Sequence, residues 1–261
     1  MRPDFQRFIE LAMQTARQAA ECGAAVASRY FRSELEPEQK DDASPVTIAD
    51  REAEKALIAL IHAVFPQHSI LAEESGVTTG DPSNRWIIDP IDGTRGFIRG
   101  ASVWGTLVAL EHEGEIVAGA ICLPCLKITY WAGKGLGTFR NGERLRVSAT
   151  AELKEATLSL GEMQNLFKAP YREALLELVS KVGSTRCYGD PAGLMMVLEG
   201  WADVWLEAGV KPWDIAPAKI LIEEAGGRFT NFSGGGSLDE GEALATNGVL
   251  HASILERLLV H

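Results

Sequence analysis

Residues 86–94 read Trp-Ile-Ile-Asp-Pro-Ile-Asp-Gly-Thr, an apolar run that passes into a turn carrying two aspartates. The three apolar residues predict a buried strand, and the polar residues after them mark its end. Asp89 and Asp92 stand on either side of Pro90, which stiffens the turn, so their carboxylates can converge on one point. Gly93 permits close backbone approach, and a helix or turn beginning there would direct N–H groups at an anion. The alternative is that the two aspartates only cap a turn.

Further acids follow apolar segments elsewhere in the chain. Glu73 and Glu74 end the apolar run at residues 69–72, Asp214 stands at a predicted helix start, and Asp50 precedes the second predicted helix. Taken singly, Asp50 and Asp214 fit ordinary helix caps. Taken together, these acids indicate a shared cation site. Carboxylate oxygens suit Mg²⁺, and zinc is disfavoured because histidine and cysteine are absent from the set.

Hydrophobic periodicity predicts a mixed α/β protein built in layers. Helices are expected over residues 5–31, 51–65, 171–182, 191–199 and 214–225. Strands are expected over residues 69–72, 86–88, 103–110, 116–123, 128–132, 156–160, 204–206 and 228–230, with an Asn141-Gly142 hairpin turn. Near residue 150 the predicted elements change from consecutive strands to strands that alternate with helices, and this change predicts two halves. Residues 1–150 would carry most metal ligands, and residues 151–261 would carry Asp214 and substrate contacts.

Composition excludes several classes of function. The 261 residues carry a formal net charge of −11 and no basic run, which disfavours nucleic acid and anionic membranes as direct partners. No signal peptide is indicated, and no apolar run reaches the roughly eighteen residues of a transmembrane helix. The four cysteines are scattered and predict a reducing, cytoplasmic location. The pair Cys122 and Cys125 is interpreted as ordinary packing.

Several motifs, in order along nearly the whole chain, resemble those of the inositol monophosphatase family. They are residues 86–94, Trp213-Asp214-Ile215-Ala216, Glu224-Ala225-Gly226-Gly227, Lys40, Thr47-Ile48-Ala49-Asp50 and Ala72-Glu73-Glu74-Ser75. The resemblance implies a layered α-β-α-β-α sandwich of the sugar phosphatase type, a homodimer, and Mg²⁺-dependent hydrolysis of a small phosphorylated metabolite. About two or three ions per site are expected, since a pair of ions roughly 4 Å apart can hold the attacking and leaving oxygens of a displacement.

The same resemblance implies a role for individual residues. The implied metal ligands are Glu73, Asp89, the Ile91 carbonyl, Asp92 and Asp214, with Asp89 bridging two ions. The implied catalytic residues are Glu73, Thr94 and Asp50, which would activate the attacking water. The implied substrate contacts are Gly93, Thr94, Arg95, Asp190 and Glu207.

Residues 92–100 and 104–110 resemble most closely the histidinol-phosphate phosphatase branch. Asp190, after Gly189, could pair with the amino group of that substrate, or it could be a plain turn or helix-cap residue. However, Pro191-Ala192-Gly193-Leu194 follows where the branch usually has aromatic residues, so the pocket is reshaped or the substrate differs. The expected order is histidinol phosphate, then inositol monophosphate or a related sugar phosphate, then a nucleotide 3′-phosphate. A non-catalytic alternative is a regulatory partner of the RNA machinery, which the intact acid set disfavours.

Overall fold

Two large β-sheets alternate with three layers of helices in the computed structural model, which describes residues 2–39, 45–168, 170–189 and 191–259; Glu38–Gln39 and Pro45–Val46 form a further, two-stranded sheet. The α-helices are α1 Pro3–Ala27, α2 Ile48–Val64, α3 Thr94–Ile98, α4 Met163–Leu166, α5 Arg172–Lys181, α6 Ala192–Leu198, α7 Pro212–Glu224 and α8 His251–Leu259. The strands are β1 Glu38–Gln39, β2 Pro45–Val46, β3 His68–Ala72, β4 Gly76–Thr78, β5 Asp81–Asp92, β6 Gly105–His112, β7 Glu115–Leu123, β8 Ile128–Gly133, β9 Gly137–Arg140, β10 Glu143–Arg144, β11 Thr157–Leu160, β12 Ser184–Arg186, β13 Val204–Ala208, β14 Arg228–Thr230 and β15 Glu242–Thr246.

The first large sheet has eight strands in the order β10-β9-β8-β7-β6-β5-β3-β4. From β5 to β10 it is an antiparallel meander, which places the predicted strands 103–110, 116–123 and 128–132 side by side, and the Asn141-Gly142 turn joins β9 to β10. Strand β3 instead runs parallel to β5. The carboxyl ends of these two strands therefore lie at the same edge of the sheet, which is where both carry acids.

The second large sheet has five strands in the order β12-β11-β13-β15-β14. Its strands β11 and β13 are parallel, so residues that follow β11 lie beside the end of β13. The first sheet ends at Arg144 and the second begins at Thr157, on either side of the predicted junction near residue 150. The division into two functional halves stays a prediction.

Helices cover both faces of each sheet. The alanine-rich face of α1 packs with α2 on one face of the first sheet, where Ala12, Ala16 and Trp86 are fully buried. Helices α6 and α7 lie between the sheets and share one core with residues of both. A Cβ on Gly119 of β7 would lie 2.7 Å from Ile220 of α7, so a glycine there permits this close approach.

Helices α5 and α8 pack with the outer face of the second sheet through Leu175, Leu178, Ile254 and Leu258. The order of layers is therefore α-β-α-β-α, and the predicted fold class is confirmed. None of the helices in the described ranges has the length and apolar character needed to cross a membrane.

Some elements differ from the sequence-based expectation. Helix α1 ends at Ala27 rather than near Phe31. Beyond the C-cap residue, backbone amides bond to the carbonyl three residues earlier instead of four, and Arg32 adopts a left-handed φ of 61°. The Arg32 guanidinium then donates to the Gly100 carbonyl at 3.2 and 3.1 Å. Strand β15 and helix α8 were not predicted. The β15 sequence Glu-Ala-Leu-Ala-Thr has weak strand propensity. The strand is stabilised by its pairing with β13 and β14 rather than by the preference of its own residues.

Candidate active site

The two aspartates of β5 point to one site because the strand is irregular between them. In a regular strand, residues three apart face opposite sides of the sheet. The pairing of β5 with β6 shifts register between Asp89 and Asp92, which removes this restriction. The Ile91 amide donates to the Asp89 carboxylate at 2.8 Å and helps to hold the turn.

Asp214 joins these two residues from the start of α7. Its carboxylate accepts a hydrogen bond from the Lys211 amide at 2.7 Å, so the residue does cap a helix, as its type alone suggests. It also belongs to a metal-competent group, since one ligand oxygen from each of Asp89, Asp92 and Asp214 lies within 4.8 Å of the others. The two interpretations of Asp214 are therefore compatible.

Glu73 stands directly after β3 and lines the same cavity as these aspartates. The buried Glu54 of α2 holds the turn that follows β3. Its two carboxylate oxygens accept the Glu74 amide at 2.8 Å and the Ser75 amide at 3.0 Å. The signal in the sequence is weak, since Glu54 is one of several acids in an amphipathic helix, and its function was not predicted.

The electrostatics of the cluster fit a cation. Burial raises the pKa of Asp89 well above its usual range, and the charges of Glu73, Asp92 and Asp214 add to that shift. A bound cation would offset both the burial of the Asp89 carboxylate and the repulsion from its acidic neighbours. The donors are carboxylate oxygens, which are ligands for a hard divalent ion such as Mg²⁺. The residues present therefore fit the metal site that the resemblance implies.

Gly93 and Thr94 lie beside the acids. Gly93 has a left-handed φ of 84°, and the short helix α3 begins at Thr94. The Thr94 hydroxyl donates to the Ile91 carbonyl at 2.8 Å. The lone pairs of this hydroxyl oxygen are therefore available to accept a hydrogen bond from a group in the cavity.

Asp50 differs from the other predicted catalytic residues, since it is fully buried and is not among the residues that line the cavity. It forms a capping box at the start of α2, where its carboxylate accepts the Thr47 amide and the Thr47 hydroxyl, both at 2.7 Å. Burial raises the pKa of Asp50, and the charge of Glu73 contributes to the shift. Asp50 thus influences the cluster from behind the cavity wall.

The cavity has a volume of about 610 Å³ and extends from the acids to the second sheet. Most predicted site residues line it: Glu73, Asp89, Ile91, Asp92, Gly93, Thr94, Arg95, Glu207 and Asp214. Sequence reasoning missed Glu162, Met163 and Cys187, which also line it. The position of Glu162, two residues after the end of the parallel strand β11, was an available signal. The predicted residues Lys40 and Asp190 lie outside the described residues.

Comparison with known proteins identifies the family. A family model described as the inositol monophosphatase family matches residues 4–260. The chain belongs to this family. A histidinol-phosphatase of Mycobacterium tuberculosis is 37% identical over 235 residues, which cover 88% of this chain and 90% of that protein. An inositol-1-monophosphatase of Mesorhizobium japonicum is 36% identical over 217 residues, 81% of each chain.

A crystal structure of the extragenic suppressor protein suhB from Bartonella henselae has the same fold. It superimposes with a TM-score of 0.87 at 30% identity, covering 95% of this chain and 98% of that one. As an inositol monophosphatase family member, the chain is a metal-dependent phosphoric monoester hydrolase that acts on small phosphorylated substrates.

Proposed function

We propose that this chain is a Mg²⁺-dependent histidinol-phosphatase. One observation carries the proposal: a single cavity joins the cluster of Asp89, Asp92 and Asp214 to a second group of polar residues around Glu207. A phosphate can therefore lie at the acids while the rest of the ester extends toward the second sheet. The 37% identical histidinol-phosphatase supports the choice of substrate.

The proposed metal ligands are Glu73, Asp89, the Ile91 carbonyl, Asp92 and Asp214. Bound Mg²⁺ would neutralise the phosphate charge and increase the acidity of water at the site. About two or three ions are proposed, since the number of acids exceeds what one ion requires.

The chain's own residues would orient the ester and move a proton. Gly93 and Thr94, at the start of α3, would contact the phosphate oxygens, and Arg95 would add a positive charge beside them. The Thr94 oxygen, whose proton is committed to the Ile91 carbonyl, would accept a hydrogen bond from the attacking water. Glu73 would take the water proton on its carboxylate. Asp50 would act from behind the cavity wall. Its carboxylate would hold Thr47 in position and add negative charge near Glu73.

Inositol monophosphate is the second candidate substrate. It is favoured by the 36% identical inositol-1-monophosphatase and by the same cavity, since a polyol could donate hydroxyl protons to Glu207. A related sugar phosphate and then a nucleotide 3′-phosphate follow in the expected order. A homodimer and a cytoplasmic location remain predictions from the resemblance and the composition.

A panel of phosphomonoesters tests the proposal. Phosphate release would be measured from histidinol phosphate, inositol monophosphate and a nucleotide 3′-phosphate, with Mg²⁺ and with a chelator. We expect the highest kcat/KM for histidinol phosphate and no turnover with the chelator. A higher kcat/KM for inositol monophosphate would establish the second candidate instead.

The non-catalytic alternative needs a separate test. A pull-down of RNA polymerase by the purified chain would reveal a regulatory partner of the RNA machinery. Binding of the polymerase together with no release of phosphate from any ester would replace the enzymatic proposal.

A further inference from the structure

Glu207 is a buried carboxylate with one oxygen left for a ligand. The residue lies on β13 and is only 1% exposed. Its Oε1 accepts a hydrogen bond from the Glu162 amide. Its Oε2 is buried and has no hydrogen-bond partner among the described residues. Because an unpaired buried carboxylate oxygen is costly, a donor from a bound molecule would stabilise it.

Two glycines of the cavity wall leave room for this carboxylate. A Cβ on Gly161 would lie 1.4 Å from Oε2 of Glu207, and one on Gly189 would lie 3.4 Å from it. Both glycines and Glu207 line the cavity. Glycine at these two positions therefore lets the Glu207 carboxylate lie in the wall of the cavity.

The charges around Glu207 favour a cation over a neutral donor. Glu162 is exposed, lines the same end of the cavity and follows β11, the parallel neighbour of β13. Burial raises the pKa of Glu207 to about 7, and the charge of Glu162 contributes to that shift. Among the described lining residues the basic one is Arg95. It directly follows Thr94 in the chain and so belongs to the segment that would contact the phosphate, not to the segments that carry Glu162 and Glu207.

We propose that Glu162 and Glu207 form a subsite for a protonated amine on the leaving alcohol, with Glu162 as a residue that determines specificity. An ammonium group can donate to Oε2 of Glu207 and also interact with the charge of Glu162, whereas a polyol hydroxyl gains little from that charge. This inference rests on the proposed phosphatase function and deepens it, since it names cationic amino-alcohol phosphates as the preferred substrate class.

Replacement of Glu162 by glutamine tests the subsite. The ratio of kcat/KM for histidinol phosphate to kcat/KM for inositol monophosphate should fall about fivefold in Glu162→Gln, mainly through KM, as expected for a partly exposed ion pair. The matched control is Glu155→Gln, which changes an exposed glutamate of the same half that does not line the cavity. It should leave the ratio unchanged. An unchanged ratio in Glu162→Gln, or an equal loss for both esters, overturns the inference.

A second substrate isolates the amine. N-acetylhistidinol phosphate lacks the positive charge of the amine. The wild-type enzyme should therefore prefer it over inositol monophosphate, in kcat/KM, much less than it prefers histidinol phosphate. The kcat/KM for the acetylated ester should also be insensitive to Glu162→Gln. A full response of the acetylated ester to that substitution would contradict an amine subsite.

A binding measurement separates this inference from the proposed function. Calorimetry with unphosphorylated histidinol and N-acetylhistidinol near neutral pH requires no turnover. Tighter binding of histidinol, reduced about fivefold in Glu162→Gln, supports the subsite even if no ester is hydrolysed. Equal binding of the two alcohols overturns the subsite, while hydrolysis of histidinol phosphate would still support the proposed function.

Discussion

Asp92 gives a residue-scale prediction about the metal site. Its side chain belongs to the group of three aspartates whose oxygens lie within 4.8 Å of one another. Asp92→Asn keeps the size of the side chain and removes one metal-binding charge. Turnover should fall at least about 100-fold, and the unfolding temperature in the presence of a chelator should change little.

Asp239→Asn is the control, because Asp239 is exposed and does not line the active-site cavity. Phosphate release and thermal unfolding would be measured for both variants. Near-normal turnover of Asp92→Asn would rule out its proposed role as a ligand.

His251 gives a residue-scale prediction about stability. The ring is 1% exposed and lies between the hydroxyls of Thr230 and Thr246, at 3.2 and 3.1 Å. Burial, with a smaller contribution from the charge of Arg228, lowers the pKa of His251 to about 4. The unfolded chain, with a pKa near 6.5, therefore binds more protons between these values, and stability is lost as the pH falls from about 6.5 to about 4.

The variant His251→Gln cannot take up this proton. Denaturant unfolding across that pH range should show the wild type losing up to about 3 kcal/mol more than the variant. Other titrating groups act equally on both proteins. A constant difference in the free energy of unfolding at all pH values would contradict the prediction.

At the scale of elements, the turn after β3 depends on a residue from another element. Glu54 of α2 accepts both the Glu74 and Ser75 amides and so supports the position of Glu73. Glu54→Ala would leave two amides without their acceptor and should destabilise the chain by about 2–3 kcal/mol. It should also weaken Mg²⁺ binding, because the turn that carries Glu73 loses its support.

Lys55→Ala is a matched control on the exposed face of the same helix. Denaturant unfolding gives the stability, and the Mg²⁺ concentration at half of the thermal shift gives the affinity. If Glu54→Ala folds and binds Mg²⁺ as the wild type does, the turn does not position Glu73 for the metal.

The distance in sequence between contacting residues explains which elements could be predicted from the sequence. The meander strands and the Asn141-Gly142 turn depend on continuous strand-forming runs and on local turn preference, so their positions follow from nearby residues. Strand β15 depends on two partners, β13 and β14, of which β13 precedes it by more than thirty residues. Its own residues carry little strand preference, and that is why it was missed.

At the scale of the whole molecule, the site lies where different layers meet. Asp89 and Asp92 come from the first sheet, Asp214 from the middle helix layer, and Glu207 from the second sheet. Mg²⁺ should therefore stabilise the assembled chain. At a free concentration of 100 times Kd, one bound ion adds about 2.7 kcal/mol to the free energy of unfolding.

Thermal unfolding measured over a Mg²⁺ titration checks this expectation. The unfolding temperature should rise with Mg²⁺, return to its starting value on chelation, and rise less in Asp92→Asn. A temperature that is independent of Mg²⁺ would mean that the acids do not close around an ion in the folded chain.

Short stretches of contiguous sequence were enough to predict the family, the set of acids and the layered fold. Strand ends, turns and helix starts are local features that such a stretch can encode. The convergence of those acids required folding, since the irregular pairing of Asp89 and Asp92 with β6 and the approach of α7 are long-range contacts. The contact between Glu162 and Glu207 spans 45 residues and depends on the parallel pairing of β11 and β13. Burial is a property of the packed chain, and it is what raises the pKa of Asp89 and of Glu207.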